Sequence, residues 1–197
     1  MLVMGLDLGT SAVKAVLVRG EEIVAEGLGP LEVSSPKSGW SEQAPADWLK
    51  ATRGAVRELG DLRGEVQAIS LSGQMHGAVM LGADDAPLRN CILWNDSRSA
   101  EECALMEDAM PEVGMLAGVR PLPGFTAPKL LWMSRHAPET HAKIKTVLLP
   151  KDYLGFWLTG ETATDTSDAA GTLWLDQAKR AWDAGLAEAS ATDPSWL

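Results

Sequence analysis

Gly5-Leu6-Asp7-Leu8-Gly9-Thr10-Ser11 stands between two apolar runs, residues 2–8 and 13–18, and its reading decides the fold. An apolar run, a glycine turn and a second apolar run predict two neighbouring strands. That excludes two familiar phosphate loops. No Lys followed by Ser or Thr completes a Walker frame, and no helix follows the glycine as a dinucleotide fingerprint requires. An unpaired carboxylate inside an apolar strand costs several kcal/mol. Asp7 is therefore expected to have a partner, such as a magnesium ion held through its water shell. Gly9 lets the backbone approach a ligand closely. Thr10 and Ser11 offer hydroxyls and N–H groups to phosphate oxygens, and Lys14 adds a cation toward the same anion. The alternative is a plain hairpin whose aspartate caps its own turn.

Outward from this turn, Arg19-Gly20-Glu21-Glu22 reads as a hairpin into a third strand over residues 23–28, an antiparallel meander. A polar loop over residues 34–44 carries Trp40, which belongs at a domain edge or a pocket rim. Pro45 then opens a helix with Trp48, Leu49, Thr52, Val56 and Leu59 at helical spacing. Short strands are expected at 66–71, 78–81, 92–94 and 147–149. Ser99 and Glu102 predict a capping box for a helix to about Met110, whose acidic residues form a solvated face. Thr126 predicts a cap with Pro128 in the first turn. Residues 151–158 read as a helix closed by Gly160, and the tail from Gln177 to Pro194 reads as helical. Together these elements give an α/β fold, a mixed sheet with helices on both faces.

At 197 residues the chain suits one large domain or two small ones. Hydrophobic residues at 46% and charged residues at 22% describe a folded soluble protein. The net charge of -10 repels phosphate backbones, so nucleic acid is not an expected partner. An anion site must then gather positive charge locally. No apolar run approaches the roughly 20 residues that cross a membrane. The N-terminus has no basic leader, and Asp7 interrupts its apolar stretch, which argues against a signal peptide. Cys91 and Cys103 form no CxxC pattern and read as reduced, structural thiols of a cytoplasmic protein.

Gly5-Leu6-Asp7-Leu8-Gly9-Thr10-Ser11 resembles the opening of the FGGY carbohydrate kinases, within the actin-like ATPase superfamily of ribonuclease H-like fold. Trp40-Ser41-Glu42-Gln43 resembles the W-x-E-Q segment of that family, and Trp94-Asn95-Asp96-Ser97-Arg98 its W-x-D-x-R segment. Gly73-Gln74-Met75-His76-Gly77 is similar to the sugar-contact loop of its xylulokinase branch. The stretch from Gly124 to His136 fits a family signature; Leu149-Pro150-Lys151-Asp152-Tyr153-Leu154 and Ser167-Asp168-Ala169-Ala170-Gly171-Thr172 also resemble family segments.

The resemblance implies an ATP-dependent transfer of the γ-phosphate to O5 of D-xylulose, with Mg2+. Residues 1–197 then form the N-terminal, sugar-binding domain. By the same resemblance, Asp7 organises Mg-ATP through water, while Gly9, Thr10, Ser11 and Lys14 contact the phosphates. Met75 and His76 contact the sugar, a thioether against its carbon face and an imidazole toward its hydroxyls. Trp94 lies along the sugar's apolar edge, with Asn95 and Asp96 near its hydroxyls. Glycerol kinases carry Arg-Glu where this chain has Met75-His76, which argues against glycerol. The general base and the adenine site of the family belong to a second, nucleotide-binding domain outside this chain, so the chain alone is expected to be inactive. Expected partners are the sugar, ATP, that second domain and a second copy of the chain. Ribulose and gluconate kinases, and non-enzymatic actin-like proteins, are the alternatives. Lys129 reads as a fold-stabilising or interface residue, Lys151-Asp152 as an ordinary ion pair, and Asp165 and Asp168 as turn or cap residues.

Overall fold

The computed structural model describes residues 1–197. The chain opens with strands β1 (Leu2–Leu8), β2 (Ala12–Arg19) and β3 (Glu22–Pro30). Leu2, Met4, Leu6 and Leu8 are buried on one face of β1, as a period of two requires. Gly20, at φ 65°, takes the left-handed conformation that closes the β2–β3 hairpin. The short β4 (Glu42–Gln43) precedes α1 (Pro45–Glu58), with Pro45 in its first turn. β5 (Ala68–Gly73) then pairs parallel to β1, from Val3 with Ala68 to Leu8 with Gly73. The strand order is β3-β2-β1-β5, the mixed sheet expected. α1 lies flush on β3 because two glycines remove the side chains between them. A Cβ on Gly27 would sit 2.0 Å from the Ala55 carbonyl oxygen, and one on Gly29 2.1 Å from that of Ala51.

Past this sheet come β6 (Val79–Leu81), β7 (Cys91–Ile92), α2 (Ala100–Ala109), α3 (Val113–Leu116), α4 (Thr126–His136), α5 (Pro138–His141) and β8 (Thr146–Leu148). The chain ends with α6 (Pro150–Thr159), α7 (Thr166–Ala170), β9 (Leu175–Asp176), β10 (Ala181–Trp182) and α8 (Ala184–Ala189). Two hydrophobic cores meet at β6. Val79 and Leu81 join the core between the four-stranded sheet and α1, while Ala78 and Met80 join the core around α2, α4 and α8. All four are fully buried, which explains why this run reads as continuously apolar. No helix is long and apolar enough to cross a membrane.

Several local expectations change. Both α1 and α6 stand on the Leu6 face of the sheet; the opposite face, carrying Asp7, Lys14 and Ser72, is open, so helices cover one face and not two. The capping box does not form: Ser99 donates its hydroxyl to the Pro123 carbonyl, and Glu102 is fully buried against Arg135 instead of lining a solvated face. Thr126 does not cap α4 either, because its hydroxyl donates to the His76 carbonyl. Residues 177–182 turn through a hairpin rather than a helix. The Asp176 carboxylate accepts from the Ala178 and Lys179 N–H groups at 3.0 Å each, and so offers the backbone a turn in place of a helix.

Candidate functional site

Between β1 and β2 the turn consists of Gly9, Thr10 and Ser11, and none of their three N–H groups has a backbone acceptor. Successive free N–H groups at a turn make an anion-binding concavity. Gly9 keeps the turn tight, since a Cβ there would meet the Ala12 carbonyl oxygen at 3.0 Å. The parallel pairing of β5 with β1 brings the Gln74-Met75-His76 loop to the same end of the sheet, and the Gln74 N–H donates to the Leu8 carbonyl at 2.8 Å. Thr10 Oγ1 donates to Gln74 Oε1 at 3.0 Å and accepts from Trp94 Nε1 at 3.0 Å. The glycine turn, the Gln74–Gly77 loop and the Trp94 loop therefore meet at one hydroxyl. Its proton is committed to Gln74, so Thr10 can serve an anion through its N–H rather than as the hydroxyl donor expected.

Beneath this joint lies Gln43, 3% exposed. Its Nε2 donates to the carbonyls of Thr10 (2.7 Å) and Glu32 (3.1 Å), and its Oε1 accepts from Trp48 Nε1 and Gln74 Nε2 at 3.0 Å each. Every polar atom of the amide is paired.

Asp7 is exposed, which overturns the burial argument made for it: the alternation that buries Leu6 and Leu8 turns Asp7 to the open face. There it lies beside Lys14 and Ser72 in the strand register and forms no ion pair, while Lys14 pairs with Glu26 at 2.9 Å. Ser11, the last residue of the turn, is exposed. A carboxylate without an ion-pair partner at the sheet end suits a cation that arrives with its own water shell and phosphates.

His76 takes φ 63°, its ring edge-on to Phe125 at 4.7 Å between centroids. The ring rests on Gly171, where a Cβ would approach Cε1 to 2.1 Å. Burial, then the charge of Lys129, pushes the imidazole pKa down to about 4, so it is neutral at physiological pH. Met75 and Trp94 are 45% and 43% exposed, and Asn95 is exposed as well.

Asp96 is corrected from a sugar contact to a structural residue. At 2% exposed, it accepts from the Ser41 N–H at 2.6 Å and from the backbone and guanidinium of Arg98 at 2.7–2.9 Å. Arg98 also pairs with Glu42 at 2.7 Å, and Arg89 binds the same carboxylate. The Arg98 guanidinium stacks over Trp40 at 3.7 Å and lies 5.1 Å from Trp132, whose ring meets Trp40 edge-on. Trp40 thus packs, partly buried, between this network and Lys37, whose amine lies 4.6 Å from its ring.

Lys151 joins a larger cluster than the single ion pair expected. It pairs with Asp152 and lies 3.1 Å from Asp165 and 3.7 Å from Asp168. Asp165 caps α7 as a turn residue should, but Asp168 is half-buried and its burial pushes its pKa up to about 6.

The roles of Gln43, Gln74, Arg98 and Gly171 were not readable from single positions. For Gln43 and Arg98 the available signal is a polar residue in a short segment that opens on a tryptophan; Gln74 and Gly171 carry no such mark.

The pattern of the FGGY family of carbohydrate kinases, N-terminal domain, matches residues 2–197. The chain is 52% identical over 182 residues to a xylulose kinase of Escherichia coli (strain K12), covering 91% of this chain and 38% of that protein. It is 43% identical over 186 residues to a xylulose kinase of Bacillus subtilis (strain 168), covering 91% and 37%. A crystal structure of a xyloylose kinase from Brucella ovis superposes with a TM-score of 0.97 at 48% identity, covering all of this chain and 42% of that one. The chain therefore spans about two fifths of the length of these relatives, and its fold is that of the actin-like sugar kinases. The chain belongs to the FGGY family of carbohydrate kinases.

Proposed function

We propose that residues 1–197 form the acceptor-binding domain of an ATP-dependent kinase that converts D-xylulose to D-xylulose 5-phosphate. The observation that carries this reading is the joint at Thr10 Oγ1, which places the phosphate turn within one hydrogen bond of both the Gln74–Gly77 loop and Trp94. A phosphoryl group and an acceptor hydroxyl must share one cleft for in-line transfer. The resemblance to xylulose kinases supports the choice of sugar.

At this joint the N–H groups of Gly9, Thr10 and Ser11 would receive phosphate oxygens, and Asp7 would hold magnesium. Magnesium, when bound, neutralises charge on the phosphates. His76 buries Nδ1 against Gly171, so it can serve one sugar hydroxyl through its other ring nitrogen, while Met75 and Trp94 cover the carbon skeleton. A second domain of the same protein supplies the adenine site and the base. The free cysteines accord with action in the reducing cytoplasm.

Calorimetric titration of the chain with D-xylulose, D-ribulose and glycerol tests this reading. The expected order is xylulose ahead of ribulose, with glycerol weakest. Preference for glycerol would overturn the assignment of the sugar.

A further inference from the structure

Lys129 is fully buried, yet no carboxylate lies within ion-pair distance of its amine. A buried ammonium without a counter-ion is costly, so the arrangement that retains it is informative. Nζ donates to two backbone carbonyls from different loops, His76 at 2.7 Å and Gly124 at 2.8 Å. α4 sets this up: Thr126 and Lys129, three residues apart on one helical face, both donate to the His76 carbonyl.

Each clamped loop bears on the site. His76 holds a left-handed φ of 63°, which a residue with a side chain keeps only where its surroundings over-determine it. Leu173, fully buried and also left-handed at φ 70°, lies two residues past the Gly171 on which the His76 ring rests. Gly124 is pressed against the Trp94 loop, where a Cβ would sit 2.3 Å from the Trp94 carbonyl oxygen. One amine therefore ties the His76 peptide to the turn that supports Trp94.

We propose that Lys129 is a positioning residue for the acceptor sugar: its clamp on the His76 and Gly124 carbonyls sets the imidazole and the Trp94 loop in their binding geometry. The proposal rests on the reading of His76 as a sugar contact. Burial pushes the Lys129 pKa down to about 7, with Cys91, Asp96, Arg98 and His76 as the neighbouring titratable or charged groups. A neutral amine still carries two N–H donors, enough for both carbonyls.

The test compares the wild-type chain with Lys129→Met by calorimetry with D-xylulose and by nuclear Overhauser contacts between the His76 and Phe125 rings. The expected result is a folded variant whose ring contacts are lost and whose affinity falls at least about tenfold. Unchanged ring contacts and unchanged affinity would overturn the proposal. If the wild-type chain binds no xylulose, the functional reading fails, and the ring contacts alone decide whether the clamp orients His76. If Lys129→Met does not fold, the wild-type chain decides. The carbonyl 13C resonances of His76 and Gly124 should move together as the Lys129 amine titrates, and a titrating amine that leaves both unmoved would refute the clamp.

Discussion

Thr10 joins three segments through a single hydroxyl, so its loss has a defined cost. Thr10→Val keeps the shape but leaves the Gln74 carbonyl and the Trp94 N–H without their partner. Leaving buried polar groups unpaired costs about 1–3 kcal/mol, and half-exposed Trp94 can recover part of this from water. Urea denaturation should therefore show a loss of about 1–2 kcal/mol, with the Trp94 fluorescence shifted toward that of a solvated indole. A second residue-scale effect concerns pH. His76 falls from 6.5 unfolded to about 4 folded, so its contribution to stability is present above pH 6.5 and is lost as pH falls toward 4. Asp168 rises from 3.8 to about 6, so its contribution is present below pH 3.8 and is lost as pH rises toward 6. The two oppose each other between pH 4 and 6. Asp168→Asn should lose stability on acidification more steeply than wild type, and His76→Gln should lose the His76 contribution and gain stability on acidification. Equal slopes in all three chains would show that neither group is shifted by folding. At this scale the sequence identified the residue types but not always their reasons. Asp7 stood out as a carboxylate among apolar neighbours. The alternation of Leu2, Met4, Leu6 and Leu8 already placed it on the opposite face, and that period decides its exposure. Asp96 looked like a sugar ligand because its partners, the Ser41 N–H and Arg98, are visible only once the loops are folded.

Elements are held together by the buried charges around Arg98. Glu42 from β4, Asp96 before α2, and Trp132 from α4 all converge on one guanidinium, while Arg89 shares Glu42. Two cations and two carboxylates balance, so removing one leaves uncompensated charge in a dry setting. Arg98→Met should cost about 3–5 kcal/mol. Lys14→Met, which breaks an exposed pair with Glu26, should cost no more than about 1 kcal/mol. Paired denaturation curves check both, and a loss at Arg98 no larger than that at Lys14 would remove the network from the account. The meander, α1 and α6 were legible because strand alternation, Pro45, Pro150 and Gly160 are local signals. The hairpin at residues 177–182 was not, because Asp176 spends its side chain on the turn and the helical pattern of its neighbours hides this. The double role of β6 was hidden for another reason: a run buried on both sides carries no period.

At the scale of the whole molecule, the glycine turn and the His76 corner lie where the two cores adjoin. The N–H groups at the glycine turn come from the first core. His76 is seated by Phe125 and by the carbonyl contacts of α4, which belong to the second. A separate cavity of about 230 Å³, lined by Asp152, Trp174, Trp182 and Trp196, offers a competing place for a small polar molecule. A crystal structure of the chain with D-xylulose distinguishes the two directly. The account predicts the sugar against Met75, His76 and Trp94, with a hydroxyl directed toward the Gly9–Ser11 turn. Sugar in the tryptophan-lined cavity, with the His76 corner empty, would contradict it.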